Sequence, residues 1–473
     1  LGVNNADITT LAAALLERMY YCKVAGEFVA PPEVNKNTFN TRLSSFRSEV
    51  LKRVGHAAPV SLDAVVEMYE GRKRAIYLNA KERYELLGWC KKYPWLKAFV
   101  KMEKVKPDKA PRCIQPRDPV YNIRLGTYIK PIEHRIYKAI DSIFGDGPTV
   151  IKGYNVERIG RIMRGKWKSF NNPVAIGLDA VKFDMHVSKE ALEWEHSVYQ
   201  SIYRCKELAK LLRHQVYQRG GARCKDGHLS YKVVGRRASG DMNTALGNCL
   251  LMCAMIHAYA EYKGIEIKLM NNGDDCVVMM EKQHEQHFMQ GLEEWFLDMG
   301  FRMSSETPVY SLPEIEFCQM RAIEYGNGEV VMVRNIPVAL RKDTLVTVDV
   351  SKQKSLQAWM TAVGSGGIAL TGGIPIMQNF YRRLQQLGRG ITSKVGAELS
   401  RNSGMYLMGK GVKRTFITPT AEARLNVFIA WGITPDEQVE LERYYDAYQF
   451  DFAPVVGVDR HINHNLLLNV LSR

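Results

Sequence analysis

The chain of 473 residues contains no run of about eighteen apolar residues, the length a membrane-spanning helix needs. It also opens on no recognisable signal peptide. Nine cysteines are scattered along it, none in a C-x-x-C pair. That argues against a disulfide scaffold and predicts reduced thiols in a cytosolic setting. Internal repeats and low-complexity linkers are lacking, which leaves a single interleaved body rather than an array. Acidic residues are in the minority, 50 Asp and Glu against 65 Lys and Arg, for a net charge of +15. Such an excess favours a polyanionic partner, nucleic acid before a membrane surface, because no Lys/Arg-rich amphipathic helix stands out.

Apolar residues make up 46% of the chain, enough for a large core, and the length amounts to about three domains' worth of material. The first residue is Leu1 rather than Met. This suggests a fragment or processed product whose upstream segment would carry any membrane address.

Residues 1–100 read as mixed helix and loop, and 101–117 ("KMEKVKPDKAPRCIQPR") as a basic stretch broken by proline. Residues 133–144 look helical, and "VAIGLD" (174–179) reads as a buried strand. Ser188 can cap a following helix, with Glu190 in its first turn and Ala191, Trp194, Val198 and Ile202 on one face. Residues 206–236 read as loop and strand, followed by a long helix from "SGDMN" onward. Alternation at Ile265, Ile267 and Leu269 predicts a strand, Asn272-Gly273 a hairpin turn, and Cys276–Met280 the return strand. A helix over 287–301 and paired strands from "EIEFCQMRAI" and "GEVVMVRNI" come next. Beyond about residue 350 the pattern is mostly helical, interrupted by "GSGG" and "TGG". The order strand, helix, helix, hairpin, helix predicts an α+β unit, an antiparallel sheet backed by helices.

Within that frame Asp274 and Asp275 lie in the hairpin turn, where Asp is also ordinary turn chemistry. Asp179 ends a strand and Asp184 follows in a D-x4-D pattern. Sheet geometry can bring Asp179 beside the hairpin turn. Clustered carboxylates at a solvent-facing sheet end call for a hard, oxygen-seeking cation such as Mg2+. Two such ions suit phosphoryl transfer. Between the two acidic patterns stands "SGDMNTALGN" (239–248), in which Gly240 permits a tight loop and Thr244 and Asn248 share a helix face. Ser239 and Asn248 are neutral groups suited to a ribose hydroxyl, though for this stretch taken alone loop and cap chemistry is the preferred account.

D-x4-D, SG-x3-T-x3-N and GDD, in that order, resemble the central motifs of viral RNA-dependent RNA polymerases. "EFCQM" (316–320) looks like the primer-grip motif, and "KAPRCIQPR" (109–117) like the basic fingers motif, with Lys109 and Arg112 at its K-x-x-R. With "YNIRLGTYIKPIEHRIY" and "VIKGYN" the wording looks closest to the tombusvirus and carmovirus family, within the flavivirus-like polymerases, over roughly residues 95–345.

The resemblance implies a right-hand architecture. Fingers would occupy 1–172, with an N-terminal extension, and 206–236. The palm would occupy 173–205 and 237–345, and a mostly helical thumb 346–473. It implies that Asp179, Asp274 and, as a weaker or alternate partner, Asp275 hold two Mg2+ ions, for which Mn2+ can substitute. Asp184, Ser239, Thr244 and Asn248 would surround the ribose. Lys109 and Arg112 would meet the triphosphate, and Lys101, Lys104, Arg117, Lys152, Gly240 and Cys318 would lie along the RNA. The implied reaction is attack of an RNA 3′-hydroxyl on the α-phosphate of an NTP, replicating a positive-strand RNA genome. The implied partners are template and product RNA, NTPs, an auxiliary viral replication protein and host factors, in a membrane-associated complex in the host cytoplasm.

Several features have two readings. Cys249, Cys253 and His257 share a helix face that suits either a metal or a core, with no fourth ligand nearby. Arg158, Arg161, Arg164, Lys166 and Lys168 suit a template path or a solvated face. "RYYDAYQFDF" (443–452) suits a base-stacking platform or simple packing. No Lys occurs between Lys282 and Lys342 to protonate pyrophosphate, which leaves Arg302, His284 and His287 as local candidates. Two rival functions are a reverse transcriptase, against which the Gly273 before the aspartates and the Asp184/Asn248 pair both argue, and a non-catalytic RNA-binding replication protein.

Overall fold

The computed structural model describes residues 2–106, 109–145, 147–346, 350–393, 408–450 and 457–458. At its centre is a four-stranded antiparallel sheet in the spatial order Lys268–Asn272, Asp275–Glu281, Pro173–Ala180, Met303–Ser305. Side chains alternate across a strand, and here the alternation separates two cores. Val174, Ile176, Leu178, Cys276, Val278 and Met280 face one side. Ala175, Val277, Met279 and Met270 face the other.

The first side is covered by the helices Lys36–Val54, Pro119–Phe144, Lys189–Tyr203 and Thr244–Lys263. Thr244–Lys263 is buried along most of its length, as its near-continuous apolar sequence requires. The second side packs on the hairpin of Met320–Gly326 and Glu329–Arg334 and on the helices Val156–Lys168, Gln353–Thr371 and Met377–Gly388. The α+β reading therefore holds, with a sheet buried on both faces.

Ser188 caps its helix through the Ala191 N–H, as its position predicts. Several expectations need correction. Residues 206–216 form a helix before the strands Tyr217–Cys224 and Gly227–Val234, because Leu208, Leu211, Leu212 and Val216 give it a buried face. The helix expected over 133–144 is the second half of one that runs Pro119–Phe144, started by the Asp118 cap and Pro119 and continuing through Pro131. Ile265 and Ile267 are buried, but the strand itself begins at Lys268. The helix expected over 287–301 is two short ones, Glu285–Met289 and Leu292–Asp298, split at Gly291 with φ +76°. "GSGG" does not interrupt Gln353–Thr371. Its Gly364 and Gly367 lie against the backbone of Gln385 and the ring of Tyr381, so that two helices can approach closely. "TGG" does end that helix.

Candidate active site

The hairpin turn forms because Asn272 and Asp275 pair across it, with Gly273 at φ +78° between them and Asp274 at its tip. The fully buried Asn271 ties the turn down, its Nδ2 donating to Gly273 O at 2.7 Å and to Cys276 Sγ at 3.0 Å. The adjoining register sets Asp275 directly opposite Asp179 on the central strand. Asp179, Asp274 and Asp275 are thus brought to one end of one sheet, although nearly a hundred residues separate the first from the others.

Asp274 is reachable by solvent at the turn, yet the protein atoms around it limit its hydration. That loss of water raises its pKa, and the Asp179 charge adds to the rise, while Lys152 and Arg112 oppose it. Asp275 is pushed up to about 6, chiefly by burial and then by the charges of Asp274 and Asp179, against a stabilising hydrogen bond with Cys318. Glu306, which the sequence reading missed, joins this field. Its carboxyl stands over Gly177 on the same strand, and burial raises its pKa with help from Glu316, Asp275 and Asp179. Among the described residues, no three Asp, Glu, His or Cys side chains form a ready-made metal cage. The donor chemistry nonetheless fits a divalent cation: carboxylate oxygens concentrated at one end of the sheet, each disfavouring the other's charge. Mg2+ commonly takes only one or two protein carboxylates and completes its shell with water and substrate phosphates.

A second group of residues approaches the same turn. Asn248 Cβ and Lys152 Nζ each lie 4.0 Å from the point a Gly273 Cβ would occupy. Lys152 is brought there by a bridge between Val150 and Asn271, with Ile151 N donating to Asn271 O at 2.9 Å. Asn248 Nδ2 donates to Asp184 Oδ1 at 2.9 Å. Burial raises the Asp184 pKa, countered by Asn248, Arg237 and Arg112. Ser239 is exposed in the loop before the helix. The Thr244 hydroxyl is turned away onto Ala238 O at 2.8 Å, where it braces that loop.

The basic stretch pairs with residues 99–100 through Cys113 and Ile114. Arg112 is half exposed, 3.5 Å from Glu103, and its charge reaches both Asp274 and Asp184. Lys109 is exposed. Lys101 pairs with Glu103 at 3.1 Å. Lys104 lies on a short strand opposite Val3, and its side chain is outside the described residues. Gly240 packs under Pro116 and Gln115, whose backbone would collide with any Cβ there. Cys318 sits in a tight turn, with φ +53° and Gln319 at +60°, beneath Asp275 and Asn272.

Arg117 corrects an expectation. Instead of lining an RNA path, it is 2% exposed, with its guanidinium consumed by Asp241, Gln218, Pro94 O and His214 O. Cys249 and Cys253 are core residues, and the partly exposed His257 rests against Phe46 and Phe144 with Glu261 at 3.6 Å. The basic run on Val156–Lys168 is divided: Lys166 is buried and Arg164 meets Glu324 at 2.8 Å, while Arg158, Arg161 and Lys168 are exposed, Arg161 beside Glu329 at 3.3 Å and Arg158 over Tyr154. Of the C-terminal aromatics, Tyr445 and Phe450 pack on Phe380, while Asp451 and Phe452 lie outside the described residues. His284 follows the far end of the Asp275–Glu281 strand, and His287 contacts Lys263 at the far end of the Asn248 helix, each about 20 Å from the turn. Arg302 lies next to the Asp179 end, its carbonyl accepting from Val181 N at 2.9 Å.

Comparison with known proteins identifies the family. The family model for viral RNA dependent RNA polymerase matches residues 1–453. An RNA-directed RNA polymerase of Oat chlorotic stunt virus (isolate United Kingdom) is 41% identical over 94% of the chain and 62% of its own length. One of Turnip crinkle virus is 42% identical over 95% of the chain and 58% of its own length. One of Tomato bushy stunt virus (strain Cherry) is 39% identical over 97% of the chain and 56% of its own length. The chain therefore spans about six-tenths of the length of these relatives. Among the described residues no helix is long and apolar enough to cross a membrane. With a match along nearly its whole length, the chain belongs to the viral RNA-dependent RNA polymerase family.

Proposed function

We propose that the chain synthesises RNA on an RNA template from NTPs, in the replication of a positive-strand RNA virus. The observation that carries this is the register that sets Asp179 against Asp275, next to Asp274, within reach of the Asp184–Asn248 pair. In the right-hand arrangement the central sheet is the palm, 1–172 and 206–236 the fingers, and 346–473 the thumb.

Asp179 and Asp274, with Asp275 as alternate, would hold two Mg2+ ions, or Mn2+ in their place, together with the NTP phosphates. Bound there, such ions supply activation of the 3′-hydroxyl and neutralisation of charge on the leaving pyrophosphate. The protein's own work is positioning and charge stabilisation. Arg112 and Lys109 receive the triphosphate. Lys152, with its ammonium by the turn, offsets charge where the phosphates meet the carboxylates. Asp184 accepts the ribose 2′-hydroxyl, oriented by Asn248, with Ser239 alongside. The 3′-hydroxyl gives its proton to solvent as its oxygen bonds to the α-phosphorus, the bond from that phosphorus to the bridging oxygen breaks, and pyrophosphate departs. Arg302 is the proton donor candidate nearest in the fold. Template and product strands, an auxiliary viral protein and host factors are the proposed partners, in a membrane-associated complex of the host cytoplasm.

Purified chain, unprimed RNA, labelled NTPs and Mg2+ test this directly. Template-length product that disappears with Asp274→Asn is expected. RNA binding without incorporation would instead favour a non-catalytic replication protein.

A further inference from the structure

Behind the ribose-facing pair lies a buried ionic network that the motif chemistry does not account for. Arg237 and Glu195 form an ion pair with both side chains 0% exposed. Glu195 Oε1 also accepts from Tyr199 OH and from Asn243 Nδ2, each at 2.8 Å. The remaining reach of Arg237 goes forward, with Nε donating to Asn248 Oδ1 at 2.9 Å. Burial penalises both charges, and each partner restores the other: Glu195 keeps Arg237 protonated, and Arg237 holds the Glu195 pKa low. Gly247 makes the arrangement possible, because a Cβ there would run into Glu195 Oε1 and Arg237.

Such a pair is a poor device for stability alone, since two desolvated charges can generally be exchanged for apolar side chains at little cost. It does accomplish something an apolar pair cannot. A guanidinium only donates and does not titrate in the ordinary pH range, so the Asn248 amide must turn its oxygen toward Arg237. Its NH2 then necessarily faces Asp184. Oδ1 of Asp184 is thereby occupied, and no hydrogen bond from a described residue reaches Oδ2. Without Arg237 the Asn248 oxygen has lost its donor, and only the hydrogen bond to Asp184 is left to hold the amide in place.

We propose that Arg237, anchored by Glu195 and admitted by Gly247, is a positioning residue for sugar selection: it fixes the polarity of Asn248 so that Asp184 keeps an oxygen ready to accept a ribose 2′-hydroxyl. The proposal rests on the polymerase reading.

The test is single-nucleotide incorporation by the full chain, comparing kcat/KM for CTP with that for dCTP. Arg237→Lys keeps the charge opposite Glu195 but loses the fork that reaches Asn248. It is expected to lower the CTP preference about tenfold, the loss of one hydrogen bond to a charged group. In Arg237→Lys/Asn248→Ala the preference should fall no further than in Asn248→Ala alone. A merely structural role would slow both nucleotides equally with the ratio unchanged, or give single effects that multiply; either result overturns the proposal. Should Arg237→Lys lose its cooperative melting, Glu195→Gln, which loosens the anchor, must show a smaller fall in the same ratio, and an unchanged ratio there overturns the proposal too. If the wild-type chain incorporates neither nucleotide, it is the polymerase reading that fails.

Discussion

Two buried arginines bracket the loop that precedes the Asn248 helix, and they differ in what their nitrogens touch. Arg117 is bound at every nitrogen, to Asp241, to Gln218 and to the carbonyls of Pro94 and His214, and its plane lies over Tyr121. Arg237 gives one nitrogen to Glu195 and another to a residue of the site. The first locks the basic stretch to the loop, and the second orients the site. For a buried charge, the number of contacts says little about function, whereas the identity of the last partner says a good deal.

Substitutions can break this comparison or sharpen it. The largest effect is expected from truncation. Arg117→Ala and Arg237→Ala each strand a buried carboxylate and should cost about 3–5 kcal/mol in urea denaturation. Apolar replacement of both partners should then separate them. Arg117→Met with Asp241→Leu should recover part of the stability and keep sugar selectivity intact, while Arg237→Met with Glu195→Leu should recover part of the stability and leave selectivity lowered.

A third buried base, His186, takes the opposite solution and stays neutral. At 1% exposure its pKa is pushed down to about 4 by burial, despite a contact with Lys182 O. An unfolded histidine takes up its proton near pH 6.5. Acidification from there toward 4 therefore favours the unfolded chain, and stability present above pH 6.5 is lost across that window by about 3 kcal/mol. His186→Gln should flatten the stability profile over the same range in denaturant melts at stepped pH.

Gly240→Ala should cost about 1–3 kcal/mol, since its new methyl meets the Pro116 backbone. Lys109→Ala, at an exposed position, should change stability by less than about 0.5 kcal/mol. Its effect should appear instead as a raised NTP KM in steady-state incorporation.

How far the site was legible follows from the range of the interactions involved. Asp179, Asp184, Asn248, Asp274 and Asp275 stand in short motifs whose local chemistry is strong: a strand end, a glycine turn, a helix start. Antiparallel register then has few ways to join them. Arg117 looked like its neighbours Lys109 and Arg112, and only the packing of Asp241 and Gln218 around it shows that it is interior. Arg237 carries no local sign beyond lying two residues before Ser239. Its partner Glu195 reads as one more charge on an amphipathic helix, although Gly247, set just before Asn248, was a clue to close packing. "GSGG" was misread for the same reason: glycines that let two helices touch are written identically to glycines that end one.

The central claim is that Asp179 and Asp274 act together as ligands of shared divalent ions, and Mn2+ titration followed by electron paramagnetic resonance, with a non-hydrolysable NTP present, tests it most directly. NTP-dependent Mn2+ binding that is lost in both Asp179→Asn and Asp274→Asn, with folding retained, is the predicted result. Undiminished Mn2+ binding in either variant would contradict it.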